Sequence, residues 1–208
     1  MPTSREPSVR RISRARFCKK GSDLAFRSFT FFMEKKKFVI LLSGPACSGK
    51  STVDVELAKR IPGAYLVAYD KLKWQLSGFD RTKDRGLIQE LLTGFFEVVC
   101  KSGTPIFLCA YMHSPEEYEH FTSVAEQNGY TFLPSELTAP TEVLVKRFHE
   151  RLERVAKGEG RMTVTDEATF RENIAMRAYL PEGVPQFDTS VMAPEEIADA
   201  IMRVVNNL

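Results

Sequence analysis

Residues Gly44, Pro45, Ala46, Cys47, Ser48, Gly49, Lys50 and Ser51 fit G-x-x-x-x-G-K-[ST], the spacing of a phosphate-binding loop. The two glycines let the backbone turn back tightly, so that successive N–H groups point inward at one anion. Ser51 and Thr52 open a helix whose N-terminal partial charge adds to that site. Lys50 can bridge terminal phosphates, and its ammonium is expected to face solvent until they arrive. The Ser51 hydroxyl can ligate Mg²⁺. Residues 44–52 are therefore the candidate binding loop for a nucleoside triphosphate.

Two further groups have types suited to that chemistry. Asp70 closes a short apolar run, and an acid at the carboxyl edge of a buried strand lies on the ligand-binding rim of an open parallel sheet. There it can orient an attacking hydroxyl and take its proton. It is equally a good cap for the helical turn that follows. Lys146 lies next to Arg147, and Arg151 and Arg154 follow Arg147 at spacings of four and three, so the four share one broad helix face, either a solvated face or a row of cations facing a ligand.

These residues need a frame, and the pattern supplies one. Residues 38–42 are an unbroken apolar run of strand formers, read as a strand buried on both faces. A helix over 53–60 stops at Ile61-Pro62-Gly63, and residues 64–69 form a second strand ending at Asp70. Residues 77–85 read as a polar loop carrying Arg81, Lys83 and Arg85. A helix over 87–100 follows, with Leu87, Leu91, Phe95 and Val98 as its apolar face. Strands are expected at 105–110, 130–137 and 186–189, with Pro134 favouring an edge or a strand end. Helices are expected at 115–128, 141–155 (capped by Thr141), 166–178 and 194–205. Gly158 and Gly160 interrupt the chain within a mobile flap over about 155–165 that carries Arg161. Alternating strands and helices call for a parallel sheet covered on both faces. The acceptor pocket is expected between 70–85 and 111–118, with Trp74, Tyr111 and Tyr118 in its walls.

The 208 residues are 43% hydrophobic, enough for one α/β domain. Residues 1–32 hold eight Lys/Arg against Glu6 and Asp23, a net of +6 within a total of +2, so the remainder carries −4. At +2 the chain as a whole is no polyanion binder, its folded part is mildly acidic, and nucleic acid is the less favoured partner. The basic stretch reads as a flexible arm, an organellar transit peptide or sequence upstream of the true start. We expect a disordered or non-native leader over 1–35 and a single domain over 36–208. Four cysteines without metal-ligand spacing read as reduced thiols of a cytoplasmic protein, organellar if the leader is a transit peptide. No apolar run reaches the roughly 18 residues of a membrane span.

From Lys36 to Leu208 the chain resembles the P-loop kinases of the nucleoside-kinase-like superfamily. Within it, the chain is similar to the small ATP-dependent kinases related to polynucleotide kinase, chloramphenicol phosphotransferase, gluconate kinase and zeta toxin. The resemblance rests on the loop at 44–52, on Asp70, on the run 137–147 with Arg151 and Arg161, and on Asp188-Thr189-Ser190 before Pro194-Glu195-Glu196. It implies an α/β fold of three layers, with a five-stranded parallel sheet in the order 2-3-1-4-5. It implies ATP as phosphoryl donor with Mg²⁺, a hydroxyl-bearing acceptor, and a monomer or dimer. Asp70 would accept the hydroxyl proton, and Arg147, Arg151 or Arg161 would steady the migrating phosphoryl group. One departure stands out. Many relatives carry an acid at the tip of the third strand that helps hold Mg²⁺, whereas residues 107–113 contain none. The metal would then rest on Ser51, the phosphates, water and Asp70. Two other readings stay open: a nucleoside monophosphate kinase using Arg81 and Arg85, and a regulatory ATPase with no acceptor.

Overall fold

Five strands pair in parallel in the order β2-β3-β1-β4-β5: β1 (Phe38–Ser43), β2 (Tyr65–Ala68), β3 (Ile106–Cys109), β4 (Thr131–Thr138) and β5 (Gln186–Asp188). The computed structural model describes residues 36–208, so the expected leader over 1–35 lies outside the described residues. The helices are α1 (Lys50–Arg60), α2 (Tyr69–Lys73), α3 (Arg81–Cys100), α4 (Pro115–Gln127), α5 (Thr141–Ala156), α6 (Glu167–Ala175) and α7 (Pro194–Asn206). None of the described helices is long and apolar enough to cross a membrane.

The central strand shows why its apolar run has no polar alternation. Side chains of β1 alternate between two faces, and both faces are covered. Val39 and Leu41 pack with Leu92, Phe96 and Val99 of α3 and Phe121 and Ala125 of α4. Phe38, Ile40 and Leu42 pack on the other face with Val53 and Leu57 of α1 and Ile197, Ala198 and Ile201 of α7. Every residue of β1 is buried, and truncating Ile40 or Leu41 to Ala should cost about 2–5 kcal/mol. A third cluster, Leu144, Val145, Phe148 and Phe170, joins α5 to α6 and touches Cys47 of the phosphate loop.

Several expectations need correction. The polar loop over 77–85 ends early. Asp80 accepts hydrogen bonds from the backbone N–H of Thr82 and Lys83, and this cap starts α3 at Arg81. Arg81, Lys83 and Arg85 are therefore helical. The buried stripe of α3 is Ile88, Leu92, Phe96 and Val99, one position on from the expected one, and Leu87, Leu91 and Val98 are exposed. Both stripes are apolar at helical spacing, and periodicity alone does not choose between them. Thr141 is the first helical residue of α5, with Pro140 before it and no side-chain cap. The helix over 166–178 is shorter, capped by Asp166 and finished at Ala175. Pro134 is tolerated because β5 pairs only with Glu136 to Thr138, so at Pro134 the strand has β1 on one side and no ladder on the other.

Candidate active site

The parallel sheet brings the carboxyl ends of β1, β2 and β3 to one rim, and the chemistry-bearing residues collect there. β1 runs into the loop at Gly44, and Lys50 is the first residue of α1. Gly44 has φ +134°, and a Cβ there would lie 2.2 Å from the Leu137 carbonyl oxygen of β4. Only glycine allows the loop this close to the neighbouring strand. Cys47 has φ 65°, a left-handed conformation that costs a non-glycine residue about 1–2 kcal/mol.

Lys50 does not face solvent. Its Nζ donates to the carbonyls of Gly44 and Pro45, each at 2.7 Å, so the ammonium is folded onto the loop it serves. Burial lowers its pKa, while the nearby Cys109, Asp70, Cys47 and Asp54 oppose the shift. Inside the loop the Ser48 hydroxyl is buried without a hydrogen-bond partner, whereas Ser51 and Thr52 are exposed at the mouth. Ala46 and Cys47 form the outer turn, closed by the hydrogen bond from the Ser48 N–H to the Pro45 carbonyl, and Ala46 is exposed.

Asp70 lies in the first turn of α2 and is 63% exposed, with its carboxylate paired to Lys73 Nζ at 2.5 Å. It caps nothing. Ala68 is the N-cap of α2, because β2 ends one residue earlier than its apolar run suggests. Lys73 also lies 4.9 Å from the Trp74 ring centre. Asp70 is near enough to act electrostatically on both Lys50 and Cys109.

The three arginines of the predicted site converge from α5 and the segment after it. Arg147 donates from Nη1 to the Thr189 hydroxyl at 2.8 Å and to the Cys47 carbonyl at 3.3 Å, and from Nη2 to the Thr189 carbonyl at 2.7 Å. It ties the strained loop residue to the end of β5. Arg151 faces the Cys47 thiol and donates to the Arg161 carbonyl at 3.1 Å. Arg161 reaches across to the Trp74 carbonyl at 3.3 Å and stands 5.8 Å from that ring's centre. Trp74 to Phe79 and Arg161 line a cavity of about 600 Å³.

The expected acceptor walls are only partly as read. Tyr118 is half-buried and packs edge-on against Phe132 and Tyr179 at the margin of the core. The Tyr111 hydroxyl donates to the Met176 carbonyl at 2.8 Å. Beside it, Arg85 bonds the His113 ring at 3.1 Å, and burial followed by the Arg85 charge lowers the His113 pKa. Arg81 donates to Asn173 at 2.8 Å. Among the described residues, Arg81, Arg85, Arg147, Arg151 and Arg161 have no carboxylate partner.

A pair absent from the sequence reading sits at the third-strand tip. Cys109 donates from Sγ to Asp54 Oδ2 at 2.8 Å, and Asp54 Oδ1 is buried without a partner. Burial raises the Asp54 pKa to about 6, against the pull of the Cys109 hydrogen bond, Lys50 and Lys71. The Cys109 thiol is pushed well up, first by burial and then by Asp54. The signal for Asp54 was spacing: it stands three residues after Ser51 and four after Lys50, on their side of the helix. Oxygen donors of this kind suit Mg²⁺. No three His, Cys, Asp or Glu side chains gather into a metal site among the described residues, so phosphate oxygens would have to complete any shell.

Fold and loop together define a P-loop kinase fold. APS kinase of Mycobacterium tuberculosis, in complex with AMPPNP and APS, has a TM-score of 0.59 at 18% identity, over 82% of this chain and 98% of that one. A gluconokinase of Sinorhizobium meliloti 1021 has 0.53 at 17% identity over 84% and 97%. The tunicamycin resistance protein of Deinococcus radiodurans has 0.52 at 16% identity over 82% and 96%. Residues 39–180 match the AAA domain family, and the chain belongs to it. No curated protein sequence is significantly similar to the chain.

Proposed function

We propose that this chain is an ATP-dependent kinase that moves the γ-phosphate of ATP to a hydroxyl of a small-molecule acceptor. The observation that carries the reading is the meeting of Lys50 and Asp70 at one sheet rim, within electrostatic reach of each other. Phosphoryl transfer through a loose transition state needs positioning and positive charge more than covalent help. Lys50 would leave the Gly44 and Pro45 carbonyls for the phosphates, and Arg151 and Arg161 would close over the migrating group. Asp70, oriented by Lys73, would take the proton as the acceptor oxygen bonds to the γ-phosphorus. The bond from that phosphorus to the bridging oxygen breaks, and ADP leaves. Mg²⁺ supplies neutralisation of phosphate charge when bound, with the Ser51 hydroxyl as the loop's ligand. The resemblance to APS kinase and gluconokinase supports a small acceptor.

A second reading keeps one specific support. Arg81 and Arg85 lie one turn apart on α3 without carboxylate partners, which suits an acceptor with its own negative charge, a nucleoside monophosphate among them. The test is ATP consumption with pooled metabolites, with nucleoside monophosphates and with neither, in wild type and Asp70→Asn. We expect acceptor-dependent turnover in the wild type. Asp70→Asn should keep ATP affinity and lose roughly 10²–10⁴ in transfer, the worth of a positioned general base. Turnover indifferent to any acceptor would favour the regulatory ATPase instead.

A further inference from the structure

We propose that Asp54, on the phosphate-loop helix, supplies the carboxylate for the divalent cation of the bound nucleotide, at the place where the third-strand tip carries Cys109. The inference rests on the nucleotide-binding reading of the loop.

The placement comes first. Cys109 is the last residue of β3 and pairs in register with Leu42 of β1 and Ala68 of β2. The next residues along those two strands lead into the phosphate loop and toward Asp70, so Cys109 marks the floor of the site. A thiol is a poor ligand for a hard cation, which wants oxygen. Directly against it, 2.8 Å from the sulfur, is the Asp54 carboxylate. The acid missing from the strand is present on the helix that packs beside it, one turn past Ser51.

The hydrogen bonding is incomplete in a way that points to a ligand. Asp54 is 7% exposed, and the weak thiol donor holds only Oδ2. Oδ1 has no partner. A buried carboxylate that served packing alone would need its oxygens satisfied, because leaving one orphaned costs on the order of 1–3 kcal/mol or more. Lys50 and Lys71 face it as charges only. A cation brought by the nucleotide would satisfy the free oxygen, and Lys50 is freed to follow the phosphates. Cys109 is then a positioning residue, holding the carboxylate rotamer through Oδ2.

The test uses AMPPNP, a non-hydrolysable ATP analogue, with Mn²⁺ as the spectroscopic probe. Analogue affinity is measured in EDTA by calorimetry, and Mn²⁺ affinity of the analogue complex from the electron paramagnetic resonance of free Mn²⁺. Asp54→Asn should bind AMPPNP in EDTA as the wild type does and hold Mn²⁺ roughly 10–100-fold more weakly, as when a group supporting a metal is lost. The double variant Asp54→Ala/Cys109→Asp, which returns the acid to the strand, should recover most of that loss. Equal Mn²⁺ affinity in Asp54→Asn and wild type overturns this inference and leaves nucleotide binding standing. A loss that the double variant does not recover marks a packing effect and overturns it as well. Wild type that fails to bind AMPPNP removes the nucleotide reading and this one with it.

Discussion

Arg147 and Thr189 are joined by two hydrogen bonds, at 2.8 Å to the hydroxyl and 2.7 Å to the carbonyl, while the same guanidinium reaches the Cys47 carbonyl. One side chain thus fixes the strained turn of the phosphate loop to the far end of β5. The planar fork suits this task, and a lysine cannot reproduce it. Arg147→Ala should therefore destabilise the protein before any nucleotide is added, by about 1.5–3 kcal/mol for hydrogen bonds to a charged group. Arg147→Lys should recover little. Thermal melting without ligand checks this. If Arg147→Ala melts like the wild type yet loses phosphoryl transfer, its role is at the phosphoryl group and not in the frame.

Lys50 has two duties, and its replacement should reveal both. Lys50→Ala removes the donor from the Gly44 and Pro45 carbonyls, at a cost of about 1–3 kcal/mol. Melting without nucleotide should fall by several degrees. Transfer should fall by roughly 10²–10³, as when one preorganised donor to developing charge is lost. Near wild-type turnover would remove the loop from the chemistry.

How much of this was legible in the sequence depends on the kind of signal. The β1 run and the loop spacing declare themselves, because a doubly buried strand has no polar alternation and an anion loop needs glycine at fixed positions. Gly44 could be read as a turn, but its contact with Leu137 is long-range and leaves no local trace. The stripe on α3 falls on the wrong residues because the helix is apolar on two adjoining faces, and only packing in the cluster that holds Val39 and Leu41 of β1 selects Leu92 over Leu91. Asp80 falls inside the polar stretch 77–85 and reads as loop although it caps a helix, since Asp serves both. Arg147 stood out as a cation, but its partner Thr189 lies on another element. Asp54 is simply one residue of the helix expected over 53–60, and only the neighbour across the interface, Cys109, gives it meaning.

The segment over about 155–165 is proposed to close on nucleotide. Gly158 and Gly160 have φ of 83° and 110°, conformations that glycine takes freely, and Arg161 already reaches across to Trp74. A triphosphate would give Arg151 and Arg161 a stronger partner than the carbonyls they now bond. Amide hydrogen exchange here should slow on adding ATP and Mg²⁺, and Arg161→Ala should weaken that slowing without altering exchange in β1. Identical rates with and without nucleotide would leave the arginines as part of a fixed surface.

Asp54 makes a prediction about pH that does not require nucleotide. Its pKa in the folded protein is about 6, above the ordinary 3.8, because burial disfavours the charged form. The folded state therefore holds this proton over a pH range in which the unfolded chain has released it. Stability falls with rising pH wherever the folded state binds more protons. The contribution of Asp54 is thus fully present below about 4 and is lost as pH rises through about 6. At neutral pH the ionised group costs on the order of 3 kcal/mol. Asp54→Asn keeps the shape and has no charge to bury. It should melt higher than the wild type at pH 7.5, and that advantage should shrink as pH is lowered through about 6 toward 4. Glu56, Asp166 and Asp188 have lowered pKa values and lose stability as the pH falls, but they do so equally in both proteins and cancel in the difference. The measurement is the difference in melting temperature between the two proteins, taken from pH 4 to 8 in the absence of nucleotide and divalent metal. A difference that stays constant with pH would mean that Asp54 is not buried as an ionisable acid. If Asp54→Asn is the less stable protein at neutral pH, the carboxylate is a net structural asset.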